Sequence, residues 1–368
     1  MGNIDYRRRW RAVKRFLSNN NYDAYLVSRP ANIRWLSDSN SAPGSPPSAS
    51  LAYAIIPKKG KPIGLSSTLE RERVRKFNAI SNLKVFGPYE DVSRDAISSD
   101  IALKNLAKEN AWSSICFDTL PAKFRGIKSK QVAEIEKLRM VKDQEELKRI
   151  KRSIAISDKA QRFTRHLVEC GEGLTEKEVA SEIDYFMRRK NIQENSFGTI
   201  IASGYNSAFP HHNNSNKRLK NGEPVICDFG VFMNGYCSDI TRTYFVGGET
   251  SDYWQKRYNA VLEAQQRSFN RVSNGQSGHD VDSAGRDYLR KLDFAKYFVH
   301  GTGHGFGLEI HEAPSMTFKS KDTLRTNMTI TIEPGIYIPK KGGIRIEDDV
   351  LVTKDHATTL TKAARNLF

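Results

Sequence analysis

The chain has little cysteine. Its four residues, Cys116, Cys170, Cys227 and Cys237, are scattered over 368 positions and form neither a CxxC knot nor a disulfide framework. A reducing, cytoplasmic setting is expected. Long hydrophobic runs are also missing: the most apolar stretch, 51–56, is strand-sized, far short of the roughly 20 residues a membrane helix needs. The basic opening MGNIDYRRRWRAVKRFL is not followed by the apolar core of a secretory signal. No glycine-rich phosphate loop stands at a strand–helix junction, which disfavours a nucleotide role. Nor is there a zinc-finger, RNP-like or GXXG pattern, so no specific nucleic-acid partner is expected. Positive charge is in excess, with 58 Lys+Arg against 42 Asp+Glu and a net +16. It is spread along the chain and interrupted by acids, as solvated surface is.

What is present divides in two. Residues 1–125 alternate in the manner of a small α/β domain. A helix is expected over 9–19, strands over 22–28, 51–57, 82–89 and 112–118, and a charged helix over 68–77, with a Ser/Pro-rich loop at 37–50. Residues 126–368 form the second domain. It opens on a helical linker from near 130, with a break around 140–142. Thr175, followed three residues later by Glu178, marks the start of a helix running to 189.

Six of the eight histidines lie between 211 and 311: His211, His212, His279, His300, His304 and His311. His279, in SNGQSGHD, reads as surface. Four carboxylates sit inside β-forming runs: Asp228 in VICDFGVF, Asp239 in YCSDITRTYF, Glu333 in ITIEPGIYI and Glu347 in IRIEDDVLV. A carboxylate in such a run either faces solvent or has a partner, because burying it alone is costly. The dipeptide Asn234–Gly235 is a two-residue hairpin signal. If it joins two strands, Met233 faces Tyr236, Asp228 faces Thr241, and Asp239 lies diagonal to Asp228 on one face. Diagonal carboxylates roughly 7–8 Å apart can converge on two cations about 3.5–4 Å apart. Glu333 and Glu347 stand symmetrically about Lys340, which places them across a second hairpin.

His304, framed by glycines in VHGTGHGFGLEIHE, is the histidine best placed to join these acids, with His311 seven residues on. Carboxylates with one imidazole suit Mn²⁺, Co²⁺, Zn²⁺ or Fe²⁺. Cys227 and Cys237, soft thiols beside hard ligands, read as structural. Ser207 and His211 lack a nucleophile-elbow GxSxG, and HEAP is not HExxH.

SGYNSAFPHH, VICDFG, SDITRTYFVG, GTGHGFGLEIHE, ITIEPGIY and GIRIEDDVLVT, in this order, resemble the pita-bread metallopeptidases, the family of methionine aminopeptidase, aminopeptidase P and prolidase. The likeness spans about 130–360. The leading domain is similar to the one found in the prolidase, aminopeptidase P and creatinase branch. The resemblance implies an α/β (α+β) chain with a C-terminal pita-bread catalytic fold behind a smaller creatinase/prolidase-type N-terminal domain. It implies two divalent metal ions, Mn or Co first, with Asp228, Asp239, His304, Glu333 and Glu347 as ligands. Glu333 would also act as general base and acid, His211 and His311 would contact the substrate, and His300 and Arg345 would support the site. The implied reaction is hydrolysis of Xaa-Pro bonds in dipeptides or short peptides by a metal-bridging water, in a homodimer.

There are departures. Ser315 follows HEAP where archaeal prolidases tend to carry an arginine for a dipeptide's carboxylate; Arg325 and Lys319 lie further on. This raises an aminopeptidase P-like preference for longer peptides. Tyr205 replaces the usual proline after SG, and His212, in HHNN, stands where a small residue is commoner; both are expected to reshape the substrate pocket. A creatinase-like hydrolase of a small non-peptide C–N bond and a non-catalytic binding protein on the same scaffold are the remaining alternatives.

Overall fold

The computed structural model describes residues 4–38, 51–87, 98–119, 124 and 126–367. They form two compact units, Met1–Arg139 and Met140–Phe368. The boundary therefore falls later than the 125/126 expected. Lys130 and Gln131, read as the start of a linker helix, instead end the strand Lys128–Gln131, which pairs in parallel with Ser114–Phe117 in the first unit's sheet.

The first unit is a six-stranded mixed sheet. Its centre, Ala24–Val27, pairs antiparallel with Tyr53–Pro57 and parallel with Ser114–Phe117. The strand Ala24–Val27 is buried at every position, which is why its sequence shows no apolar–polar alternation. The helix Tyr6–Asn19 buries Val13 and Leu17 one turn apart, and Asp5 caps its N-terminus. Most of the expected loop 37–50 and the end of the stretch 82–89 lie outside the described residues.

In the second unit the helical break is real. Glu134–Arg139 closes the first unit, and a new helix, Gln144–Glu169, starts behind an Asp143/Glu146 capping box. The helix Glu176–Arg188 starts behind the Thr175/Glu178 box, as its sequence predicts. It buries Val179, Ala180, Ile183 and Met187 against Ile201, Cys227 and Phe229 of the adjoining sheet. That sheet has Pro224–Phe229 at its centre, flanked by Ile200–Ser203 and Ile240–Phe245. A three-stranded sheet of Glu194–Asn195, Val231–Met233 and Tyr236–Cys237, a five-stranded sheet and the short hairpin Gly335–Ile338/Gly342–Arg345 complete the β structure among the described residues. Among these residues no helix is long and apolar enough to cross a membrane.

Candidate active site and metal centre

The first hairpin forms in the expected register. Met233 pairs with Tyr236 across the turn, and Thr241 pairs with Asp228 further down. Asn234 and Gly235 both take positive φ, 53° and 81°, which the favoured two-residue hairpin turn requires. The second pair is built more subtly. Thr329–Ile332 pairs with Asp348–Val352, and Gly335–Ile338 pairs with Gly342–Arg345, in two different sheets. Both ladders keep one register, with Ile332 opposite Asp348 and Gly335 opposite Arg345. Glu333 and Glu347 occupy the gap where the chain leaves one sheet for the other. Both side chains line the same cavity there, near enough for the Glu333 charge to act on Glu347.

His304 sits within the strand Gly303–Gly305, one strand over from Thr329–Ile332. A Cβ at Gly303 would come within 2.0 Å of the Thr331 carbonyl oxygen, so only glycine permits this approach. The result is one cavity of about 720 Å³ lined by Asp228, Asp239, His304, Glu333 and Glu347 together with His211, His300, His311 and Arg345. These nine are the residues that the sequence offered as ligand, catalytic and supporting candidates.

Asp239, His304 and Glu347 offer ligand atoms within 4.8 Å of one another. His304 Nε2 lies 3.3 Å from Glu333 Oε1 and 3.7 Å from Asp239 Oδ2. Asp228 turns one oxygen to Arg345, at 2.5 Å. Its other oxygen, Oδ1, has no hydrogen-bond partner among the described residues, and neither has Glu347 Oε1; both are buried. Burial, then repulsion from Glu347, Asp228 and Glu333, pushes the Asp239 carboxyl well above its usual range. Burial, then Glu333 and Asp228, does the same to Glu347. Glu333 resists burial because His304 hydrogen-bonds to it and lends charge; its pKa is pushed down to about 2. Crowded carboxylates with orphaned oxygens beside one imidazole are a donor set for a hard or borderline divalent cation. The residues present fit a metal.

A profile of metallopeptidase family M24 matches residues 148–354, and one of the creatinase/prolidase N-terminal domain matches 9–141. The chain belongs to metallopeptidase family M24. It is a pita-bread metallopeptidase of the prolidase/aminopeptidase P branch, with the domain order its motifs imply. This M24 chain is 34% identical over 358 residues to the Xaa-Pro dipeptidase of Pyrococcus furiosus, covering 96% of this chain and 97% of that one. Its fold is similar to that of an Xaa-Pro dipeptidase from Bacillus anthracis (TM-score 0.87, 31% identity, 99% of each chain). It is also similar to that of an X-Pro aminopeptidase from Thermotoga maritima (TM-score 0.84, 29% identity, 98% of this chain and 99% of that one).

Around these acids and His304, the structure adds residues that sequence reading passed over. Tyr337 joins His300 to Arg345: its hydroxyl lies 2.8 Å from His300 Nε2 and accepts from Arg345 at 2.8 Å. Arg345 reaches Thr241 Oγ1 and the Pro210 carbonyl as well, tying both hairpins to the segment that carries His211. Thr241 donates to Glu347 Oε2 at 2.6 Å. The available signal was a polar tip on residues inside apolar strands, and only partner geometry gives it meaning.

Tyr205 differs from expectation. It is 56% exposed, packs near Lys217, and does not line the cavity, whereas His212 does. Ser207 is fully buried, its hydroxyl accepting from Gly343 N and donating to the Gly204 carbonyl, so it is held as a structural clamp. Cys227 and Cys237 are both buried, and His279 is exposed.

Proposed function

We propose that this metallopeptidase hydrolyses Xaa-Pro bonds at the N-terminus of dipeptides or short peptides, with two divalent metal ions, Mn²⁺ or Co²⁺ first among them. The observation that carries the reading is the convergence of four carboxylates and His304 in one cavity, two of the carboxylate oxygens being buried without a partner among the described residues. Relatives over nearly the whole chain that bear the names Xaa-Pro dipeptidase and X-Pro aminopeptidase support the choice of bond.

Asp228, Asp239, His304, Glu333 and Glu347 would hold the ions, which supply Lewis acidity toward water and the scissile carbonyl when bound. Glu333 takes the proton of the attacking water and returns it to the departing proline nitrogen. Its Oε1 accepts from Thr331 Oγ1 at 3.1 Å, which fixes the carboxylate at the strand end. His311 packs edge-on against His304, ring centroids 4.3 Å apart. Burial, then the neighbouring His304, lowers its pKa; the neutral ring offers an N–H to the oxygen on which negative charge develops. His211 is exposed at the same cavity and presents its ring to the leaving-group side. Arg345 and Tyr337 keep Asp228 and His300 in place.

A homodimer in a reducing cytoplasm belongs to the same reading; light scattering of the purified chain tests the dimer. The activity is tested by stripping metal and assaying matched Xaa-Pro and Xaa-Pro-Yaa-Zaa peptides before and after adding Mn²⁺ or Co²⁺. Metal-restored cleavage of the bond before proline is expected. Silence on both peptides with two equivalents of metal bound would overturn the reading.

A further inference from the structure

Glu176, the first residue of its helix, is fully buried and collects six hydrogen bonds. Its Oε1 accepts from Ser203 N, Ser203 Oγ and Asn206 Nδ2; its Oε2 accepts from Ser215 N and Ser215 Oγ and faces His212 Nε2 at 2.7 Å. These donors outweigh the cost of burial and push its pKa down to about 2. An ionised carboxylate accepts only, so Nε2 of His212 carries the hydrogen. In the neutral ring Nδ1 is then a bare lone pair. It has no partner among the described residues, and the ring lines the catalytic cavity with its side chain 11% exposed.

We propose, on the basis of the Xaa-Pro reading above, that His212 is a specificity-determining residue whose Nδ1 accepts the main-chain N–H of the substrate residue after proline. Proline itself has no N–H once acylated, so the first donor downstream of the scissile bond belongs to the third residue. The substrate's other donor, its N-terminal ammonium, is better served by a carboxylate of the same cavity through a charge-assisted bond. A dipeptide ends instead in a carboxylate, which the lone pair repels. No lysine or unengaged arginine stands ready to receive that carboxylate among the described lining residues. The one arginine there, Arg345, spends its donors on Asp228, Tyr337, Thr241 and Pro210. His212 therefore sets a preference for peptides of three residues or more.

The test pairs Xaa-Pro-Yaa-Zaa with an analogue in which an ester oxygen replaces the N–H of Yaa, on wild type and His212→Gln. Glutamine keeps a donor at the Nε2 position for Glu176, and so keeps the fold, but removes Nδ1; thermal melting checks this. KM from hydrolysis and Kd from calorimetry on the metal-free chain are both read. The wild type is expected to favour the amide about tenfold in KM and Kd, and the variant to show no preference. Equal binding of amide and ester by the wild type, or an undiminished preference in the variant, would overturn the proposal. Failure of the activity reading is seen separately, as amide discrimination in Kd without cleavage before proline.

Discussion

Glu176→Gln isolates one carboxylate outside the metal centre. The wild-type group falls from an ordinary 4.5 to about 2, because six donors hold its anion in a site closed to solvent. At about 1.4 kcal/mol per tenfold change in proton affinity, that difference is worth about 3 kcal/mol at pH 7. The sign follows from linkage: a depressed pKa contributes stability that is complete above about 4.5 and is lost as pH falls toward 2. The glutamine side chain brings no charge, and its amide N–H groups point at donors. The metal-free variant is therefore expected to be about 3 kcal/mol less stable at pH 7 in urea unfolding followed by circular dichroism. The gap should narrow to about 2 kcal/mol at pH 3.5. A gap below about 1 kcal/mol at pH 7, or one that stays constant down to pH 3.5, would refute the assignment of the stabilisation to this ionised carboxylate.

Asp239→Asn removes a ligand from the Asp239/His304/Glu347 cluster; calorimetry with Mn²⁺ should show affinity weakened at least about 100-fold, and peptide hydrolysis should fall with it. Tyr337→Phe deletes the hydroxyl between His300 and Arg345. Steady-state kinetics should show kcat reduced about 10- to 100-fold, with metal stoichiometry by elemental analysis unchanged. Gly303→Ala would drive a Cβ to 2.0 Å from the Thr331 carbonyl oxygen; a loss of about 2–4 kcal/mol in urea unfolding is expected, with weaker metal binding as His304 shifts.

Much of the site was legible because its chemistry is local in sequence. A carboxylate inside an apolar β-run is anomalous wherever it occurs, and the Asn234–Gly235 turn sets a register that carries Asp228 opposite Thr241 by counting alone. The capping box at Thr175 likewise marks a helix start within three residues of chain. The domain boundary was not legible. The segment Lys128–Gln131 is polar and exposed at every position, so nothing in its pattern announces a strand; pairing with Ser114–Phe117 makes it one.

The sequence by itself determined which acids and histidine are candidates to hold a metal, which hairpin presents Asp228 and Asp239, and to which family the chain belongs. Each of these follows from residue type and short-range spacing. Only the tertiary structure decided that Glu333 and Glu347 meet where the chain passes between two sheets. It also decided that Tyr337 bridges His300 and Arg345, and that Glu176 reaches His212 across 36 positions. Those relations depend on where separate elements pack, and a hydrogen bond between residues far apart in the chain leaves no periodicity behind it.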